Sequence, residues 1–275
     1  MRHDDDDQSA RPTRPALPLT VTIGTVAGAW RFPVKSLQGE AVDALDFDAT
    51  GAVDDRTWGI VDQATGKVLT AKRWGALLEA SARLEAGGDV VLTLPDGREH
   101  AAGAPGTDEA LSAWLGRKVR LSRPPEGGLP YELTMDPTDD ESEVWDFATP
   151  PASFVDLAAA HLLTDASLKA ARRTYPAGDW DVRRFRPSLL IAAAGAASGY
   201  LEDSWIGQKV ACGEAVFEPF MPTPRCAMPT RAQSGLARDT AVSRTLTDDH
   251  ANNLGIYAQV VRGGSVRIGD EVALA

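Results

Sequence analysis

The chain has only two cysteines, Cys212 and Cys226. Two cannot build a disulfide framework, a four-cysteine zinc site or an iron–sulfur ligand set. Histidine is nearly as scarce. His3, His100, His161 and His250 are scattered, and none stands at a metal-ligand spacing such as H-x-x-x-H. Each is read as a surface or core residue. No apolar run approaches the ~18 residues of a membrane span. The opening, Met1 to His3 followed by Asp4 to Asp7, has no apolar signal-peptide core. The default expectation is therefore the cytoplasm, where thiols stay reduced. Positive charge is also short: 28 Lys and Arg stand against 39 Asp and Glu, a net charge of −11. That balance excludes a general nucleic-acid binder, whose footprint is basic, but leaves room for a local basic pocket. No internal repeat is visible.

What is present is mainly β. Residues 1–18 are charged and without periodicity and read as a disordered tail. From Val21 to Phe32 the chain is rich in branched and aromatic residues, up to Pro33, which must break a ladder. Ala41–Phe47 alternates in and out. Residues 54–62 and 67–70 flank a four-residue turn at Gln63–Gly66 and read as a hairpin. Strands are expected at 77–84, 90–94 and 118–122, with a short helix over 108–115 capped by Thr107. Many short strands with glycine turns point to a compact β-barrel or rolled sheet. Residues 123–152, with paired prolines, paired glycines and an acidic run from Asp136 to Asp146, read as a loop linker. Over 154–163 the triplet Ala158–Ala160 leans helical, and Thr164 or Asp165 caps a helix through about Arg173. A buried strand follows at 189–193. Further strands are expected at 209–212, 215–219, 256–261, 265–268 and 271–274, with a short helix over 239–246. Cys212 follows strand alternation and reads as a small core residue.

Two constellations carry chemistry. Phe220–Thr230 holds Cys226 among Pro222, Pro224 and Pro229, each of which fixes φ and lacks a backbone donor. The stretch is expected to be a stiff irregular loop, not a strand or helix. Arg225 adjoins the thiol, and a neighbouring cation favours thiolate, the form that attacks or ligates. The bland alternative is a structural cysteine in a turn. The second constellation is Arg183, Arg184 and Arg186 at the mouth of the 189–193 strand. It is either a salt-bridged surface cluster or an anion pocket, since the guanidinium fork matches phosphate oxygens.

The stretches Arg31–Leu37, Gly51 with Asp55–Trp58, and Leu69–Arg73 resemble the β-barrel domain that precedes MOSC domains. Phe185–Ile191, Glu202–Trp205, Arg225-Cys226 and Gly269–Val272 resemble the MOSC domain itself, named after the molybdenum cofactor sulfurase C-terminal domain. The resemblance spans about residues 20–275. It implies an α+β fold that is mainly β, with an N-terminal β-barrel-like domain (19–122), the linker (123–152) and a C-terminal MOSC β-barrel with short helices (153–275). Within the family the chain resembles the amidoxime-reducing components of mitochondria and bacteria. That resemblance implies a molybdenum cofactor, a molybdopterin-type pterin with Mo, ligated by Cys226. Lys35, Ser36 and Arg56 would hold its terminal phosphate. Arg186 and Ser188 would contact the pterin or its phosphate, with Thr164 in a stretch that lines the pocket. Position 188 is Ser where the reductases usually carry Asn, and no ferredoxin-like cysteine set follows Cys226. Electrons for a small-molecule substrate would come from a separate donor protein, and no nucleic-acid or membrane partner is expected. Three functions stay open: a reductase of N-oxygenated substrates using Cys226 and Arg225, a sulfur carrier with a Cys226 persulfide, and a non-catalytic cofactor carrier.

Overall fold

The structure is a computed structural model and describes residues 21–134, 139 and 141–274. The expected tail at 1–18 and part of the acidic run lie outside the described residues. The main body is a closed barrel of seven strands. Going round it, Leu189–Ala193 pairs with Ala160–Thr164, then Asn253–Arg262, Ala215–Pro224, Val210–Cys212, Glu271–Leu274 and Val21–Arg31, which pairs back to Leu189–Ala193. All pairings are antiparallel except that of 160–164 with 189–193. Those two are joined by the helix Asp165–Thr174, because parallel neighbours need a crossover. The barrel interior is hydrocarbon: Leu162, Ile191, Val210, Phe217, Ile256 and Val272 are fully buried, with Cys212 among them. Burial pushes the Cys212 thiol up to about 12, so it is inert, as its strand alternation implied.

The strand Val21–Arg31 comes from the part of the sequence assigned to the N-terminal domain, yet it closes this barrel. Ala44–Asp48 also crosses over, pairing with Gly264–Arg267. The rest of the N-terminal part is a smaller β unit. Gly59–Asp62 pairs with Val119–Ser122, and Ser81–Leu84, Val90–Thr93 and Glu99–Ala101 form a three-stranded sheet. Val34, Leu37, Ile60, Leu78, Leu92 and Leu111 fill its own core. The expectation of a mainly β protein with short helices holds.

Several local expectations do not. Residues 75–79 form a 3-10 helix before the strand Ser81–Leu84, so the strand expected from 77 starts later. Thr107 is not a cap: its hydroxyl donates to Ala101 O (2.8 Å), and Gly106 in a left-handed conformation precedes the helix Thr107–Leu115. The triplet Ala158–Ala160 leads into the strand Ala160–Thr164, where the barrel overrides alanine's helical preference. Residues 123–152 are not simply linker, since Pro130–Thr134 pairs with Val144–Ala148 as a hairpin.

The largest departure concerns the prolines. The strand Ala215–Pro224 runs through Pro219, Pro222 and Pro224, pairing with Asn253–Arg262 across register shifts at 219/221 and 222/224. On its other side it pairs with Val210–Cys212 only over 215–217. Beyond 217 that flank behaves as an edge, where a missing N–H costs nothing. The irregular loop therefore begins only at Arg225.

Candidate functional site

A cavity of about 420 Å³ opens where the barrel, the N-terminal unit and the 130–148 hairpin meet. Lys35, Ser36, Arg56, Arg186, Ser188, Arg225 and Cys226 all line it. Seven of the eight residues singled out from sequence are thus brought together from segments up to 191 positions apart in the numbering.

Each is presented by a specific backbone device. Lys35 N donates to Trp58 O (2.8 Å) and Arg56 N to Phe32 O (2.7 Å), which staples segment 32–37 to segment 54–58. Phe32 N donates to Asp55 Oδ1 (2.7 Å), and Asp55 also pairs with Arg56. Ser36, Arg56, Arg186 and Asn252 all have positive φ, at 69°, 51°, 53° and 58°. Only seven non-glycine residues do so among the described residues, and four of them line this cavity. Such conformations cost of order 1–3 kcal/mol each and persist where the surroundings enforce them, most often at binding sites.

Cys226 is half-buried at the cavity wall, against the core of the N-terminal unit. Its loop is braced on both sides. Arg225 N donates to Asn252 O (2.9 Å), and Asn252 Nδ2 donates to Arg225 O (2.8 Å). The 3-10 turn Met228–Thr230 follows, with Met228 buried in the N-terminal core. The Arg225 guanidinium donates to Phe185 O (2.9 Å) and Leu254 O (3.4 Å). Through these bonds it holds the loop that carries the thiol, while still lining the cavity beside Cys226.

The cavity is strongly cationic within an acidic protein. Among the described residues five cations, Lys35, Arg56, Lys72, Arg186 and Arg225, line it against one carboxylate, Asp156. Lys35 Nζ donates to Phe154 O (2.8 Å) and Asp156 Oδ1 (2.5 Å), while Lys72 Nζ meets Asp156 Oδ2 at 3.0 Å. Both ammonium groups lie over the Tyr131 ring. Burial pushes Lys35 down to about 8 in spite of Asp156. Lys72 goes the other way: burial opposes its charge, but Asp156 and then Cys226 hold its pKa above the usual range. Against the upward push of burial, Lys35 and Lys72 keep Asp156 far below the usual carboxylate range. Burial, then Arg56, lowers Arg186 to about 9, which leaves it cationic at neutral pH. Its Nη1 donates to Leu37 O (2.6 Å), and its plane lies 4.0 Å over the Phe32 ring. Arg186 Nη2 is buried with no partner. A buried guanidinium N–H without an acceptor is costly, and this one stands open to an acceptor within the cavity.

Because Lys35 loses its proton near pH 8, anion affinity should be full below that value and fall as pH rises through it. Sulfate, whose charge is constant over this range, should bind several-fold more weakly at pH 9 than at pH 7 by calorimetry. Lys35→Arg should flatten the profile; an unchanged wild-type profile would count against Lys35 as an anion ligand.

The arginine cluster divides. Arg183 pairs with Asp181 at the surface, Arg184 is buried among backbone carbonyls, and only Arg186 reaches the cavity. Thr164 does not line it, contrary to expectation. Thr164 caps the helix Asp165–Thr174 by accepting from Ser167 N (3.1 Å), and its hydroxyl donates to buried Glu202 (2.6 Å). Burial raises the Glu202 carboxyl above the usual glutamate range, and the hydroxyls of Ser167 and Thr164 offset only part of that. The folded state thus holds this proton to higher pH than the unfolded chain does, so stability falls as pH rises past the unfolded value. Glu202→Gln should raise the unfolding midpoint at pH 7 and change it little near pH 4. Equal shifts at both values would refute this.

Sequence reasoning missed Lys72, Asp156, Tyr131 and Tyr257, and it took His161 only as a surface or core residue. His161 is buried and also lines the cavity, with its ring nitrogens 3.4 and 3.3 Å from Arg186 O and Leu254 O. Burial, then Arg225, lowers it to about 3, so it is neutral. Lys72 lies in the Leu69–Arg73 stretch and could have been found there. Asp156 had no signal.

Beside a closed seven-stranded barrel, then, one cavity brings a half-buried thiol together with five cations. Residues 150–273 match the family model of the MOSC domain, and residues 23–121 match that of the MOSC N-terminal beta barrel domain. The chain thus carries a MOSC domain preceded by a MOSC N-terminal beta barrel domain. It is 24% identical over 294 residues to mitochondrial amidoxime reducing component 2 of Rattus norvegicus, covering 91% of this chain and 83% of the relative. To mitochondrial amidoxime-reducing component 1 of Mus musculus it is 25% identical over 297 residues, covering 92% and 82%. Among solved structures it is similar to the YUAD protein from Bacillus subtilis, with a TM-score of 0.49 at 12% identity over 93% of this chain and 97% of that one. Among the described residues, no helix is long and apolar enough to cross a membrane.

Proposed function

We propose that this protein is a molybdenum-cofactor-binding oxidoreductase that reduces N-hydroxylated or otherwise N-oxygenated small molecules. Electrons would come from a separate donor protein, because two cysteines cannot hold an iron–sulfur cluster of the protein's own. The observation that carries the reading is the convergence of Cys226 with five cations on one cavity. The relatives' name, amidoxime reducing component, supports the substrate class.

The residues present fit a phosphate-bearing pterin with a metal. The unpartnered Nη2 of Arg186 asks for an acceptor, which a phosphate oxygen supplies. Thiolate is a soft ligand suited to such a metal. Cys226 would ligate it. Lys35, Ser36 and Arg56 would hold the terminal phosphate, and Arg186 and Ser188 the pterin or its phosphate. Bound there, the group supplies two-electron redox chemistry at its metal. The chain's own part is to hold the Cys226 sulfur on a braced loop and to keep the cavity cationic. His161, neutral at physiological pH, adds no charge to it.

The test uses protein made in a host that produces the cofactor. It should carry about one molybdenum per chain, and it should reduce an N-hydroxylated amidine when supplied with a reduced low-potential dye. Absence of molybdenum, or metal-loaded protein without turnover, would overturn the reading. A reducible +32 Da adduct on Cys226 in metal-free protein would favour the sulfur carrier instead.

A further inference from the structure

Among the described residues Asp156 is the one carboxylate beside the cavity's five cations, and it touches the two lysines that an anionic ligand would use. Lys35 is 3% exposed and already donates to Phe154 O, so little of its capacity is free while Asp156 stays in place. Asp156 keeps 34% of its side chain exposed, on a wall of the cavity. An anion entering beside it meets a like charge in a poorly screened site, which is repulsive.

The segment that carries Asp156 is built to shift. Phe154 is wholly buried in its own small cluster with Val61, Val68 and Tyr131, and Ala160 is locked into the barrel. Between these anchors, residues 155–159 belong to no strand or helix. Val155 N donates to a side chain, Ser153 Oγ (3.0 Å), and not to a ladder. Leu157 is 57% exposed, so moving it breaks little packing.

We propose that Asp156 is an internal competitor of the ligand: its carboxylate and the phosphate of an incoming phosphate monoester claim the same two ammonium groups, Lys35 and Lys72, and binding exchanges one for the other through a shift of residues 155–159. This competitor sets a threshold. A singly charged anion gains less than it displaces, whereas a dianion gains more, so the exchange selects dianions. The inference rests on the anion-binding reading of the cavity and is independent of the metal.

The test uses the full chain, produced in a host unable to make the pterin, titrated with inorganic phosphate by calorimetry at pH 6.5, well below the value at which Lys35 loses its proton. Asp156→Asn should bind phosphate about tenfold more tightly, the effect of removing one close like charge. Asp146→Asn, which changes an exposed partner of Lys67, should bind as wild type does. In wild-type protein, phosphate should also speed amide hydrogen exchange over 155–159, a readout that needs no variant. Equal or weaker binding by Asp156→Asn, or exchange that phosphate leaves unchanged, overturns the competitor role while the anion cavity stands. If neither protein binds phosphate at millimolar concentration, the cavity reading itself fails, and the competitor with it.

Discussion

Cys226→Ala should yield a folded protein with molybdenum at background and no measurable reduction of an N-hydroxylated amidine. Residues that merely orient metal ligands cost 10–100-fold when changed, so loss of the ligand itself should cost more than ~100-fold in metal affinity or activity. Stability should hardly move. Cys226 is half-buried, and its loop is held by the Arg225–Asn252 exchange and the Met228–Thr230 turn, none of which uses the sulfur. An effect below ~1 kcal/mol is expected for a change of this kind. Cys226→Ser keeps the shape but replaces a soft donor with a hard one, so it should retain a small fraction of the metal. Metal analysis, activity and a denaturant titration on the same preparations separate these outcomes. Full molybdenum content in Cys226→Ala would end the proposal that this sulfur is the ligand.

The second large effect is on folding. Arg184 is 1% exposed and donates to four backbone carbonyls: Asp179 O (2.8 Å), Pro229 O (3.1 Å), Arg231 O (3.2 Å) and Ala237 O (2.8 Å). Arg184→Met fills a similar volume but strands those acceptors. Each buried unsatisfied group costs about 1–3 kcal/mol, and removal of a buried charge gives part of that back. A net loss of about 3–5 kcal/mol is expected, a large share of the ~5–15 kcal/mol typical of a domain. Lysine should rescue little, because one ammonium cannot reach four carbonyls set around a planar fork. Two of the four belong to the turn after Cys226, so surviving Arg184→Met protein should also hold metal more weakly. A midpoint shift equivalent to less than 1 kcal/mol in urea would show that the carbonyls find other partners.

These residues show where sequence reading works and where it stops. Cys226 and Arg186 stood out because each sits in a short stretch whose composition is odd for its surroundings, whereas Lys35 and Arg56 were singled out only through the resemblance of their stretches to the MOSC N-terminal domain. The role of Arg184 was not legible, since nothing in Arg183–Arg186 says which guanidinium turns inward. Asp156 was silent for a similar reason: its partner Lys35 lies 121 positions away, and a lone aspartate in a loop looks like any other. Strands with branched alternation, such as Leu189–Ala193 and Glu271–Leu274, were clear from residue type alone. The proline-bearing strand 215–224 was not, because whether proline is tolerated depends on which flank is paired, and that is a property of the sheet. The hairpin of residues 130–134 and 144–148 was hidden by its prolines, glycines and acids for the same reason.

The strand Val21–Arg31 has a consequence for how the molecule is made. Two of its three partners, Leu189–Ala193 and Glu271–Leu274, are translated long after it. At ~5–20 residues per second the stave must wait roughly 12–50 seconds for the ring to be completed. The barrel therefore cannot shut until Glu271–Leu274 has been made, and until then the edge that this strand turns toward it stays unsatisfied and open to whatever else is nearby.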